Sequence, residues 1–148
     1  MKSLLVFILA AGTSYAAENV QNIPAKGRFR CITGNTTDFS ITAIKDGSAI
    51  AEGYMLNGTY AKAPNGKLYP TRFANREGFS FSAPCKNRTL LEHPVHARVP
   101  YGYTGGTPGA YRLILAYNDP QTEAIFCGMV AHSHKNENDF VQCAYQQT

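Results

Sequence analysis

Only one stretch of this chain carries the pattern of a long helix, and turn residues punctuate everything C-terminal to it. Ser40 is placed to cap a helix over residues 39–55, in which Ile41, Ile44, Ser48 and Ala51 fall on one face at helical spacing. Gly47 weakens its middle by ~1 kcal/mol relative to Ala, so this helix depends on packing against something; Gly53 is the expected stop. Pro64-Asn65-Gly66-Lys67 then reads as a tight turn by its Asn-Gly. Short strand-like runs recur over residues 68–73, 79–82, 90–95, 111–117, 124–131 and 140–144, and Asn118-Asp119-Pro120 separates two of them as a hairpin-like turn. An early helix followed by such runs is an α+β arrangement. One N-terminal helix covers one face of a curved antiparallel sheet of four to five strands, and the other face is left for a ligand.

The first sixteen residues read as a secretory signal peptide. Lys2 gives a positive start, residues 4–11 form a short apolar run, and Ser14 and Ala16 are the small residues a signal peptidase reads. The apolar run is too short to span a bilayer, and no later stretch approaches the ~20 residues a membrane helix needs. The expectation is therefore a signal peptide over residues 1–16 and a single secreted, extracellular domain over 17–148, with no membrane contact. Loss of Lys2 lowers the formal net charge of +4 by one. That balance permits an anionic ligand, whereas a dedicated duplex-DNA binder is usually far more basic.

Four cysteines, Cys31, Cys85, Cys127 and Cys143, lie beyond the leader. An even count in a secreted chain implies two disulfides, with three pairings open. No two cysteines lie two to four residues apart, which excludes the usual structural zinc site. Three sequons, at Asn35, Asn57 and Asn87, are candidate glycan acceptors.

Three polar residues sit beside strand-like runs in the C-terminal half. Glu92 stands at the edge of one run, Arg112 inside another and His132 at the end of a third. Taken singly, such a Glu is usually a surface residue and such a His a structural one. Arg112 is harder to dismiss, because a charge within an apolar strand needs a partner.

Their flanks decide the matter. Tyr69-Pro70-Thr71-Arg72-Phe73, then Asn75-Arg76-Glu77-Gly78-Phe79, Glu92-His93-Pro94, the run from Gly105 to Arg112, and His132 eight residues before Phe140 follow one another in family order. Over roughly residues 48–143 the chain resembles the guanyl-specific fungal ribonuclease family, within the microbial ribonuclease and ribotoxin superfamily. The start Phe29-Arg30-Cys31 fits as well. The resemblance implies a Cys31–Cys143 disulfide and, with it, Cys85–Cys127 for the remaining pair; closing so long a loop would stabilise by roughly 4–5 kcal/mol in the chain-entropy model.

By the same resemblance, Glu92 would be the general base on a ribose 2′-hydroxyl and His132 the general acid on the departing 5′-oxygen. Arg112 and Tyr69 would stabilise charge on phosphorus, and Arg112 would depress the pKa of Glu92. A 2′,3′-cyclic phosphate would form and later be hydrolysed, with no metal and no cofactor. Phe73 would stack on guanine, Glu77 would accept hydrogen bonds from its edge, Asn75 and Asn138 would fix it through the surrounding backbone, and Phe140 would line the leaving-group side. Arg76 stands where an aromatic lid is common, and a guanidinium can also cap a base.

Three departures stand beside these matches. Thr71 occupies the position of a family histidine next to the base, Tyr111 replaces an acidic residue of a buried polar network, and His93 replaces an aromatic. His93 should point to the opposite face of the strand from Glu92; His96 and His134 are expected on the surface. The implied function is a monomeric endoribonuclease that prefers guanine in single-stranded RNA, with turnover lowered by Thr71. The alternative is a catalytically impaired, ribonuclease-like effector of a plant-infecting fungus, delivered to host cells, that binds RNA or a host protein.

Overall fold

The computed structural model describes residues 19–147; the expected signal peptide lies outside them. A hairpin comes first, β1 (Arg28–Ile32) and β2 (Thr36–Ser40), followed by α1 (Ile41–Asn57), the one α-helix among the described residues. A small pair, β3 (Ala61–Lys62) and β4 (Leu68–Tyr69), precedes β5 (Thr71–Arg72) and β6 (Leu91–Pro94). Then come the long strands β7 (Tyr111–Tyr117) and β8 (Ala124–His132), and finally β9 (Phe140–Gln142) and β10 (Ala144–Gln146). Strands β5 to β9 form one antiparallel sheet in sequence order, and β10 joins the hairpin as β10-β1-β2.

The helix begins as expected: the Ser40 hydroxyl accepts the Ala43 N–H at 3.1 Å. It does not stop at Gly53. It runs one turn further and ends where Gly58 adopts a left-handed conformation (φ 63°) and donates its N–H to the Tyr54 carbonyl. Ile41, Ile44 and Ala51 pack with Val95, Leu113, Leu115, Phe126 and Met129 in the larger apolar cluster. Two polar contacts dock the helix on the sheet. Glu52 accepts the Ala124 N–H at 2.7 Å, and the Tyr117 hydroxyl donates to the Met55 carbonyl at 2.7 Å.

The far face of the sheet has its own cluster, in which Phe73, Ile114, Ala116, Ile125 and Val130 pack with the Cys85–Cys127 disulfide. The other disulfide joins Cys31 to Cys143 and ties the hairpin to the C-terminal strands. Between β7 and β8 the pairing passes from Ile114 opposite Gly128 to Leu115 opposite Phe126, so Cys127 is an extra residue, a β-bulge. The bulge offsets the alternation along β8 by one residue. Ile125, Cys127 and Val130 consequently share the far face, and His132 follows on that side.

Three expectations are corrected. The run 68–73 is two short strands in different sheets, because Pro70 has no N–H to continue a ladder. Residues 79–82 form no strand; Phe79 and Phe81 instead lay their rings on the far-face cluster, with Ser82 N–H bonded to the Cys127 carbonyl. Residues 140–144 divide between β9 and β10, and the β1–β2 hairpin was not anticipated at all.

Gly47 lies where the helix meets the sheet. A Cβ there would stand 2.8 Å from Val95 Cγ2 and 3.0 Å from Leu113 Cδ1, both on fully buried, short side chains. Gly47→Ala would gain about 1 kcal/mol of helix propensity but incur overpacking of about 1–3 kcal/mol. We expect a net loss, read as a lower urea midpoint.

His93 is fully buried, as the alternation of β6 requires, among Tyr54, Tyr69 and Tyr103, with Nε2 3.0 Å from the Tyr103 carbonyl. Burial lowers its pKa from 6.5 to about 4. The unfolded chain therefore binds the extra proton first as pH falls. Stability is full above pH 6.5 and is lost as pH drops toward 4, by about 3 kcal/mol in all. Urea unfolding across that window should show the loss in the wild type and a flatter profile in His93→Gln, which keeps a donor for Tyr103.

Candidate active site

The far face of the sheet brings the three polar residues together. Glu92 on β6 lies opposite Ile114, Arg112 on β7 opposite Val130, and His132 ends β8 opposite Phe140. All three project from the side away from the helix, where the register stacks them across adjacent strands.

Arg112 is the centre of the arrangement and is 2 % exposed. Its Nη1 donates to the carbonyls of Gly109 at 2.7 Å and Tyr111 at 3.0 Å. Its Nη2 donates to the Tyr69 hydroxyl at 3.3 Å and lies 3.3 Å from His132 Nε2. Its Nε stands 3.6 Å from Glu92 Oε1. The guanidinium carbon also lies 5.3 Å from the centre of the Tyr69 ring.

His132 Nδ1 lies 2.6 Å from the Glu137 carbonyl, a partner that can only accept, so Nδ1 carries the proton. Nε2 is then the nitrogen that faces Arg112 and exchanges protons. Burial, then the charge of Arg112, lowers the pKa of His132 below 6.5.

At Glu92 the expected effect of Arg112 is present but does not prevail. Arg112 does favour its charged form, and so does Lys67, whose Nζ lies 3.5 Å from Oε1. Burial outweighs both and holds the carboxyl above its usual 4.5. Lys67 is the residue that sequence patterns missed: it follows the Asn-Gly of a turn, where a lysine ordinarily reads as solvated surface.

A cleft of about 600 Å³ opens above this group, lined by Lys67, Tyr69, Gly109, Arg112, His132 and His134 among others. Thr71 is half-buried and pairs across the sheet with Glu92. Tyr111 does not reach the site floor. It faces the helix side, where its hydroxyl lies 2.7 Å from Thr37 Oγ1 and its ring packs on Phe39. His134 is exposed as expected, whereas His96 is half-buried beside Tyr103.

The segment after β5 is shaped by Asn75, whose side chain brackets Phe79. Its Nδ2 donates to the Phe79 carbonyl and its Oδ1 accepts the Phe79 N–H, both at 2.9 Å. Glu77 accepts the Phe140 N–H at 3.0 Å, which joins this loop to the strand beside His132. Phe73 is buried, packed edge-on against Phe81 and Phe140, and borders a second cleft of about 760 Å³ with Arg72, Asn75 and Arg88. The Phe140 ring lies 4.3 Å from that of His132. Arg76 and Asn138 are exposed at the loop tips. Of the anticipated site residues, Glu92, Arg112, His132, Tyr69 and Thr71 form one group, and Phe73, Asn75, Glu77 and Phe140 an adjoining one.

A carboxyl and an imidazole flanking a guanidinium at the base of a cleft can move protons to and from an anionic centre held between them. Comparison with known proteins gives the family. A ribonuclease family model matches residues 55–144. Guanyl-specific ribonuclease U1 of Ustilago sphaerogena is 42 % identical over 77 residues, covering 52 % of this chain and 68 % of that protein. Guanyl-specific ribonuclease Th1 of Trichoderma harzianum is 30 % identical over 105 residues, 71 % of this chain and 89 % of its own. An extracellular guanyl-specific ribonuclease, Fl1 of Gibberella baccata, is 34 % identical over 76 residues, 51 % of this chain and 63 % of its own. With the catalytic-looking group, both disulfides and the helix-on-sheet architecture in place, this chain belongs to the guanyl-specific fungal ribonuclease family.

Proposed function

We propose that this chain is a secreted, guanine-preferring endoribonuclease that cleaves single-stranded RNA through a 2′,3′-cyclic phosphate by metal-free acid–base catalysis. Endoribonuclease activity as such goes with family membership. The observation that carries the mechanism is the position of Arg112 between Glu92 and His132, 3.6 Å from the first and 3.3 Å from the second. Glu92 takes the proton of the ribose 2′-hydroxyl, whose oxygen attacks phosphorus. His132 gives its Nε2 proton to the departing 5′-oxygen. Arg112 and the Tyr69 hydroxyl hold the phosphoryl oxygens as their charge grows. Hydrolysis of the cyclic phosphate reverses the two proton transfers.

The base would enter beside the 75–79 loop. Glu77 would read its edge, Asn75 and Asn138 would shape the backbone around it, Phe73 would stack on it with Arg76 as a cap, and Phe140 would line the leaving-group side. The Glu77 contact with Phe140 supports this reading, because it fixes the loop and its carboxylate to the strand that pairs with His132. Secretion rests on the leader-like residues 1–16, which would leave 17–148 as the mature domain, and on the extracellular relative named above.

Incubation with guanosine-containing dinucleotides and a structured RNA, with EDTA present, tests the reading. Cleavage after guanine should fall by about 10²–10⁴-fold in Glu92→Gln and in His132→Ala. RNA binding without cleavage above the background of these variants would instead favour the impaired binder to which Thr71 points.

The pH profile is a second test. Glu92 must be ionised, so the rising limb of kcat/KM follows a pKa raised above 4.5. His132 must be protonated, so the falling limb follows a pKa lowered below 6.5. Both shifts narrow the bell, and its maximum should lie on the acid side of neutrality.

A further inference from the structure

Glu92 is approached by two cations at the same oxygen, Arg112 Nε at 3.6 Å and Lys67 Nζ at 3.5 Å. They differ in freedom. The Arg112 side chain is 3 % exposed and its two terminal nitrogens are committed to Gly109, Tyr111, Tyr69 and His132. The Lys67 side chain is 47 % exposed, and its ammonium stands 5.0 Å from the centre of the Tyr69 ring at the wall of the cleft.

The backbone beneath this lysine is fixed on both sides. Lys67 N–H donates to Asn65 Oδ1 at 2.9 Å, and the Lys67 carbonyl accepts the Ala63 N–H at 2.9 Å. Gly66 supplies the turn between them with φ 88°. A flexible cation is thus presented on a rigid base beside a buried carboxyl. The residue paired with Glu92 from β5, Thr71, carries no charge.

We propose that Lys67 is a catalytic residue of this site, a mobile cation that keeps Glu92 ionised in the free protein and turns to the phosphoryl oxygens as Glu92 takes up the proton. This rests on the ribonuclease reading above. Before reaction, the carboxylate and the phosphodiester carry one negative charge each, opposite Arg112 and Lys67. When the 2′-hydroxyl proton passes to Glu92, the carboxyl becomes neutral and the pentavalent phosphorus carries both negative charges. The total is unchanged; it has only moved from carboxylate to phosphorus. Arg112 is fixed and already faces both positions, whereas Lys67 has the length and exposure to follow the moving charge. Without it, the two negative charges are left with Arg112 and the His132 imidazolium, and the imidazolium loses its charge as it protonates the leaving oxygen; the neutral Thr71 cannot replace Lys67.

The test compares Lys67→Met and Lys67→Arg with Lys45→Met, which removes the same charge from an exposed position of the helix. Two readouts are taken: kcat/KM on a guanosine-containing dinucleotide across pH, and titration of the Glu92 carboxyl by carbon NMR without substrate. Lys67→Met should lower kcat/KM by about 10²-fold and move both the acid limb and the Glu92 titration to higher pH. Lys67→Arg should recover most of the rate, and Lys45→Met should change neither readout. A Lys67→Met protein within about threefold of wild type, or a Glu92 titration that does not move, overturns the proposal. Failure of the ribonuclease reading has a different signature, since the unsubstituted protein then cleaves nothing at any pH.

Discussion

The buried guanidinium of Arg112 is the interaction on which the site and much of the sheet depend. A positive charge 2 % exposed in a central strand is stable only if its donors meet acceptors. The terminal nitrogens meet that demand: the loop before β7 turns the Gly109 carbonyl inward, β4 brings the Tyr69 hydroxyl and β8 brings His132. Nε makes no hydrogen bond among the described residues and faces Glu92 of β6 as an ion pair at 3.6 Å. The other half of the same strand solves a different problem. Leu113 and Leu115 point the opposite way, into the cluster that the helix covers. One seven-residue strand therefore carries the polar centre on one face and the apolar core on the other.

The electrostatic arrangement favours neither partner of the acid–base pair in its charged form. Burial acts on both, raising Glu92 and lowering His132, and Arg112 helps the carboxylate while opposing the imidazolium. An arriving phosphodiester reverses part of this, because a negative charge near His132 favours the imidazolium. The empty site is thus prepared for an anion, and the chemistry gains wherever Arg112 and its neighbours hold the two negative charges of the transition state more strongly than the one of the bound diester.

Much of this was legible in the sequence, and the failures have physical causes. The start of the helix followed from Ser40, whereas its end did not: packing carries α1 past Gly53, and Gly58 supplies the left-handed turn. Strand β7 follows the apolar run around Arg112 residue for residue. The hairpin was overlooked because Arg28 to Ile32 reads as a charged stretch around a cysteine. Yet its alternation is real: Phe29 and Cys31 are buried and both arginines lean outward, with Arg30 paired to Asp38. Conversely, Phe79-Ser80-Phe81-Ser82 has perfect alternation and no ladder partner, so pattern alone misreads it. Glu92, Arg112 and His132 could be named because family order points to them. Lys67 could not, since only the three-dimensional turn carries it back over Glu92.

The bulge at Cys127 has a consequence for how this family member can change length. Odd-numbered residues of β8 face the disulfide side before it and even-numbered ones after it, so the parity of the strand is reset halfway along. A strand of the same length without the bulge would send His132 beneath the helix and Ala131 into the cleft, whereas loss of the one extra residue would leave a regular strand with His132 still on the cleft side. Between the Cys85–Cys127 bond and His132 the bulge therefore acts as a reserve of one residue: a single deletion there is absorbed by straightening the strand and keeps the acid beside the arginine, whereas a single insertion or a second deletion would turn the acid away without touching either.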